Sequence, residues 1–375
     1  MDTQHVFRNT VVVLLTIAAA YILLSSLQIL VVTLIAIMIA SAARSLVQRL
    51  ERLRVPFGAA VLLVYGAILL SVLVLMLLVL PPVVNQLSNY LTNEDRLALQ
   101  LRQVVSWLER SASNFTGNEV QIVAPDQING AAESLVREVN QLLPSFANGL
   151  SATLGDAILV FVMGVYWLTS RDKIADFIEN LFALKTRAQI NQIFEESEAA
   201  VGSYVRGVIS VAFIVGALNF ILLLILRVPN AATYAFIIGV TTMLPVIGGF
   251  IGGGGATLLA ALASPSNGVL VFLVFVVVQQ LETHWLTPRV MSRSMRIDPL
   301  LVIIGILAGF GLYGVIGGVI AVPIIGTLTI VLRHLVIEPQ VEKVAHKIEG
   351  GAVILNTGEP IEKEETTPGG LIIGR

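Results

Sequence analysis

Residues 279–325 read QQLETHWLTPRVMSRSMRIDPLLVIIGILAGFGLYGVIGGVIAVPII, and the reading of this stretch governs the reading of the whole chain. A few polar residues stand between long apolar runs, and glycines interrupt the last of those runs. Gly305, Gly309, Gly311, Gly314, Gly317 and Gly318 all fall within it. Each weakens a helix that lipid requires to be hydrogen-bonded within itself, so a set of plain anchoring helices has no use for them. Broken helices at membrane depth line cavities, which makes this stretch part of a candidate transport site.

Composition agrees with a membrane setting. Of 375 residues 56% are hydrophobic and 13% charged, and the mean hydropathy is +0.86, the profile of a polytopic membrane protein. A net charge of -2 offers no basic surface for phosphates, so no nucleic-acid partner is expected. The absence of cysteine excludes disulfides, thiolate metal sites and cysteine nucleophiles, and four scattered histidines make no metal centre. No cofactor is called for. The apolar runs hold no histidine–carboxylate cluster, no phosphate-binding glycine loop followed by lysine and no paired catalytic acids, so the chain is not read as an enzyme. Any coupling must then come from an ion gradient or from diffusion.

The expected fold is all-α: an integral membrane protein with about six full spans plus two glycine-rich helical hairpins, about eight membrane segments in all. Residues 10–27 and 29–43 form a first hairpin. Arg44, Arg49, Arg52 and Arg54 follow, and a short basic loop belongs to the cytoplasm, which places the N-terminus there too. A third span over 57–80 ends at Pro81 and Pro82. Residues 83–149 carry apolar positions at helical spacing in a polar background and read as a small extracytoplasmic helical insert. A fourth span over 150–169 returns the chain, amphipathic helices over 172–200 lie along the cytoplasmic surface, and a fifth span runs from 205 to 226. The expected regions are 1–82, 83–149, 150–204, a transport region over 205–335 and a cytoplasmic tail over 336–375.

Two parts of the transport region resemble each other. Ile237-Ile238-Gly239 with Val246-Ile247-Gly248-Gly249 matches Ile303-Ile304-Gly305 with Val315-Ile316-Gly317-Gly318, at offsets of 66 and 69 residues. Each part follows a proline-marked turn, at Pro229 and Pro299, and each has a second proline, Pro245 and Pro323, near its glycines. With one span over 269–285 between them, the two hairpins would enter from opposite faces. Residues 205–263 and 268–334 would then form an inverted repeat of helix plus hairpin, the arrangement that serves alternating access. In that reading Pro245, Gly248, Gly249, Gly252, Pro299, Gly309, Gly314, Gly317 and Pro323 give the hairpins flexibility. Ordinary close packing of small residues is the alternative.

Among the polar residues, Glu282 stands out at the end of an apolar run behind Gln279 and Gln280, where an acid is costly unless it pairs, protonates or faces water. It serves either as a relay for protons or cations and a partner for a polyhydroxylated solute, or as an interfacial salt bridge to Arg289 or Arg293. Asp298, before Pro299, reads first as a helix cap. Arg289 is a topology determinant and a minor candidate for substrate contact, and Asn219 lies within the fifth span. Gln279, Gln280, Glu282, Arg289, Asp298 and Asn219 are the candidate pathway residues.

At Gln280, Glu282, Pro288-Arg289, Pro299, Gly309, Gly314, Gly317 and Ala321-Val322-Pro323 the chain resembles the AI-2E family of bacterial membrane proteins. The resemblance covers almost its whole length. It implies a secondary transporter that exports autoinducer-2 or a related small signal. Sodium or lithium exchange for protons is the alternative within the family. It also implies a homo-oligomer, for which a pentameric ring fits, in the bacterial inner membrane with both termini cytoplasmic. Leu244-Pro245-Val246-Ile247-Gly248-Gly249, Ser292 and Asp298 depart from the usual pattern and bear on which solute is carried. A third reading, a membrane scaffold without transport, requires hairpins packed together with no cavity.

Overall fold

The computed structural model describes residues 27–337 except 79, 185, 246 and 292–296, and also residues 12 and 16. The described residues are helical, with no strand among them. The expected first span over 10–27, Arg293 in its basic loop and nearly all of the tail lie outside them. The chain divides into two compact units, residues 1–328 and 329–375. Of the second, residues 329–337 are described: the end of a long helix and the π-helical turn Arg333–Ile337.

The helices of the first unit are α1 (Leu27–Arg52), α2 (Phe57–Leu78), α3 (Leu80–Leu91), α4 (Glu94–Thr116), α5 (Pro125–Asn180), α6 (Arg187–Ile225), α7 (Ala231–Thr241), α8 (Gly248–Ala263), α9 (Pro265–Leu281) and α10 (Thr287–Met291); α11 (Pro299–Leu332) runs on into the second unit. Among the described residues five helical stretches are long and apolar enough to cross a membrane: Leu27–Arg52, Phe57–Leu91, Arg187–Ile225, Pro265–Val290 and Pro299–Ile337. Ala231–Thr241 and Gly248–Ala263 are apolar but shorter.

Several boundaries differ from expectation. Pro81 and Pro82 do not stop a helix; they sit in the first turn of α3, where a missing N–H costs nothing. Pro144 likewise lies inside α5, so the end of the insert, the fourth span and the following charged segment share one 56-residue helix. The expected surface helix and fifth span also fuse, into the 39-residue α6. Gly202 and Ser203 lie between them, but both stay within the helical ladder. Caps fix both ends of α4: the Asn93 side chain accepts from the Arg96 N–H at 2.9 Å to open it, and Gly117, at φ 71°, closes it.

Both glycine-rich regions fold back on themselves. Helices α7 and α8 are the arms of one hairpin, entered through Arg227 and Asn230 in left-handed conformation on either side of Pro229. Helix α11 breaks at Tyr313 (φ -143°, ψ 29°) and Gly314 (φ 58°, ψ -145°). Beyond the break the chain returns along itself, so that Gly309 faces Gly317 and Gly305 faces Ile325. The backbones of the first pair are so close that a Cβ on either glycine would strike the other's carbonyl. Helix α6 meets α7 in the same manner, with a Cβ on Gly239 only 3.1 Å from the Gly216 Cα.

The main core joins Val211, Val215 and Leu223 of α6 to Tyr234 and Ile238 of α7, Leu259 of α8 and Val271 and Val278 of α9. Leu91, Leu97, Ala132 and Val136 belong to the same cluster. Through these residues the polar region between the third and fourth expected spans packs onto the α7–α8 hairpin. A buried hydrogen bond of 2.9 Å from Gln86 Nε2 to the Tyr234 hydroxyl ties α3 to α7 within this core.

Candidate functional site

Where α9 ends the ladder changes register. The Thr287 N–H donates to the Glu282 carbonyl, five residues back, and Glu282–Leu286 is a π-helical turn. Pro288 has no N–H to offer, so the Thr283 carbonyl, which a π-type bond from position 288 would reach, receives none from there. The widened turn carries Glu282, Thr283 and His284 to the edge of a cavity of about 750 Å³.

Four parts of the fold wall this cavity. Helix α6 supplies Tyr204, Val208 and Val211; the tip of the first hairpin supplies Thr242, Met243, Leu244, Pro245, Gly249 and Phe250. Helix α9 and the π turn supply Phe275, Val276, Gln279, Gln280, Glu282, Thr283 and His284, and Thr287 follows. Ile297, Val302 and Val322 close it from the second hairpin. The wall is apolar with a few convergent polar groups, the usual make-up of a small-molecule site.

The polar groups are concentrated on one side. Glu282 is half-buried, and its Oε2 is shut off from solvent with no hydrogen-bond partner among the described residues. Gln279 Nε2 donates to Thr283 Oγ1 at 3.4 Å, and His284 Nδ1 lies 3.1 Å from the Gln280 carbonyl. Gly249 lets the hairpin tip approach Gln279: a Cβ there would come within 3.1 Å of the amide nitrogen and closer still to its oxygen. Tyr204 is buried, and its hydroxyl has no partner among the described residues. Among the described residues the lining includes no lysine or arginine, and Glu282 and His284 are its ionisable groups there besides the tyrosine.

Of the residues singled out in the sequence, Gln279, Gln280, Glu282, Pro245 and Gly249 come together here. Asn219 does not. It is fully buried in α6, where Nδ2 donates to the Val215 carbonyl at 2.9 Å and Oδ1 is left without a partner. Arg289 lies outside the lining, with its guanidinium carbon 4.1 Å from the centre of the Trp285 ring. Asp298 caps α11: its Oδ1 accepts from the Leu300 N–H at 2.8 Å, with Pro299 at the first helical position. Gly248 and Gly252 lie against Thr241, so both mark close approach between α7 and α8. Pro323 is buried within the returning arm of α11.

A second polar constellation had no counterpart in the sequence reading. Glu198 of α6 is 6% exposed, and one of its oxygens, Oε2, receives both Arg44 Nη1 of α1, at 2.5 Å, and Arg171 Nε of α5, at 2.7 Å. Glu195 pairs with the same two arginines, and Arg171 also reaches Asp172 and lies 5.3 Å from the centre of the Phe194 ring. Helix α1 is thereby joined to the consecutive helices α5 and α6, which lie far along the chain from it. Its one sequence signal is the spacing of Glu195 and Glu198, three residues apart and hence on one helix face.

A profile described as AI-2E family transporter matches residues 10–337. The curated relatives agree with it. "Putative transport protein MT0215" of Mycobacterium tuberculosis (strain CDC 1551 / Oshkosh) is 27% identical over 325 residues, covering 83% of this chain and 84% of its own. "Putative transport protein sll0060" of Synechocystis sp. (strain ATCC 27184 / PCC 6803 / Kazusa) is 28% identical over 288 residues, covering 74% and 79%. "Putative transport protein YueF" of Bacillus subtilis (strain 168) is 22% identical over 282 residues, covering 74% and 76%.

Proposed function

The chain belongs to the AI-2E transporter family, and from that premise we propose that it is a secondary transporter that exports a small polar molecule, autoinducer-2 or a related signal, by alternating access. The observation that carries this reading is the cavity of about 750 Å³ between the two hairpins, with its polar groups gathered on the π turn. Such a wall suits a neutral solute rich in hydroxyls: Gln279, Gln280 and Thr283 offer donors and acceptors, while the lining has no cation among the described residues to hold an anion. In this reading α6 with hairpin α7–α8 and α9 with the hairpin of α11 act as two units of inverted topology that rock about the cavity. The protein works as a homo-oligomer in the bacterial inner membrane with both termini in the cytoplasm. A scaffold without transport would have packed these hairpins together.

One observation favours a second reading, exchange of sodium or lithium for protons. Glu282 Oε2 is buried without a partner among the described residues, and a carboxylate oxygen held in that way is suited to a cation or a proton. One experiment separates the two. Proteoliposomes holding the wild type or Glu282→Gln are assayed for flux of labelled autoinducer-2 and, with an internal pH dye, for sodium/proton exchange. Signal flux without ion exchange is the expected outcome. Ion exchange that disappears in Glu282→Gln, with no signal flux, would establish the antiporter instead, and neither activity in folded protein would overturn transport altogether.

A further inference from the structure

Arg206 sits in α6 just before that helix becomes continuously apolar, and it is half-buried. Its Nη1 donates to the carbonyls of Ser41 and Ala42 on α1, at 3.3 and 3.2 Å. Those carbonyls are neutral, and no carboxylate among the described residues forms an ion pair with it. The nearest acids on its own face, Glu198 two turns earlier and Glu195, are held by Arg44 and Arg171. An arginine at the edge of a membrane-spanning helix with its charge uncompensated calls for an anion.

The surroundings specify what kind. Seven residues beyond Ala42, two turns along the same face of α1 and about 10 Å away, stands Arg49, exposed and likewise without an ion pair to a described carboxylate. Half-buried Ser45 lies between them, its hydroxyl donating to the Ala42 carbonyl at 3.3 Å, a long bond that it can exchange for a phosphate oxygen. On the other side, α6 continues the face of Arg206 with Ile209, 50% exposed, and Phe213, 76% exposed. The α1–α6 surface therefore offers two cations and a hydroxyl at its polar end and uncovered apolar side chains on the membrane side. That is the outline of a phospholipid, phosphate above and acyl chain beneath, and a free anion would make no use of the lower half.

We propose that Arg206 and Arg49, with Ser45 between them, bind the phosphate headgroup of an anionic phospholipid whose acyl chain lies along Ile209 and Phe213 of α6. The site is separate from the transport cavity and does not depend on which solute is carried.

The test uses the full chain purified in detergent, with native mass spectrometry reading lipid adducts in equimolar phosphatidylglycerol and phosphatidylcholine. The wild type retains phosphatidylglycerol preferentially. Arg206→Gln and Arg49→Gln each lower that preference about fivefold, and Arg206→Lys restores most of it. Arg49→Gln removes no hydrogen bond or ion pair to a described residue, so it reads the site even if Arg206→Gln destabilises the α1–α6 pairing. No preference in the wild type, or a preference that both glutamine variants keep, would overturn the proposal. So would displacement of the lipid by inorganic phosphate at low millimolar concentration, since the site would then be one for a free anion.

Discussion

Glu198 and Glu282 are both acids in an apolar setting, and their surroundings assign them opposite parts. Glu198 Oε2 holds two arginines, although its Oε1 is buried without a partner among the described residues, so removing Glu198 leaves Arg44 with Glu195 alone and the buried Arg171 with Glu195 and Asp172. Breaking such a buried pair costs about 3–5 kcal/mol, and Glu198→Ala is expected to lower stability by that order in a denaturant titration of solubilised protein. Glu133→Ala, which removes only an exposed pair with Arg137, is expected to cost less than about 0.5 kcal/mol in the same titration. Glu282 forms no ion pair with a described cation and has a buried oxygen without a partner among the described residues, so its neutral isostere removes a desolvated charge. Glu282→Gln should therefore leave the thermal midpoint unchanged or raised while transport is altered, the pattern of a residue kept for function rather than for folding. A fall in the midpoint would mean that the carboxylate holds the π turn together. Glu282 was legible in the sequence because an acid at the end of an apolar run has few ordinary explanations. The Glu198 cluster was not, since its partners come from residues 44 and 171 and no local pattern joins them.

Breaks within elements were easier to read than their lengths. Glycines and prolines announced two hairpins, and the structure has both, because a turn inside an apolar stretch needs residues that only those types supply. Helices α5 and α6 ran through expected boundaries because charge and amphipathicity mark what surrounds a helix, not where it stops. The glycines of α11 differ in what they do, and three substitutions separate their roles. Gly314 has φ 58° and ψ -145°, a conformation that is essentially restricted to glycine, so Gly314→Ala should cost about 1–3 kcal/mol through backbone strain alone. Gly317→Ala should cost a similar amount by a different route, since its Cβ would strike the Gly309 carbonyl and push the arms apart. Gly311 has nothing within 4 Å of its Cβ position, and alanine there should stabilise the helix by up to about 1 kcal/mol. Thermal unfolding should show Gly314→Ala and Gly317→Ala lowered alike and Gly311→Ala raised; equal effects in all three would mean that the hairpin turn is set elsewhere.

The polar region over residues 83–141 shows how the parts of the first unit depend on each other. By composition it looks like a soluble helical body, and in isolation its helices would have to bury Leu91, Leu97, Ala132 and Val136 against one another. In the structure these side chains complete a cluster whose larger share comes from α6 to α9, with Gln86 bonded to Tyr234 inside it. A segment of this length already lies near the lower limit for independent folding, and most of the apolar surface it needs belongs to the membrane helices. The excised segment 83–141 is therefore expected to give a collapsed amide spectrum with little fixed tertiary structure, whereas a self-contained insert would give a dispersed one. The dependence also runs in the other direction. Tyr234→Phe removes the acceptor for Gln86 Nε2 and leaves a buried donor unsatisfied, at a cost of about 1–3 kcal/mol. Since α7 leads into the hairpin tip that walls the cavity, that loss should speed hydrogen exchange at residues 242–245 together with α3. Faster exchange confined to α3 would show that the polar region rests on the hairpin without bearing on the cavity wall.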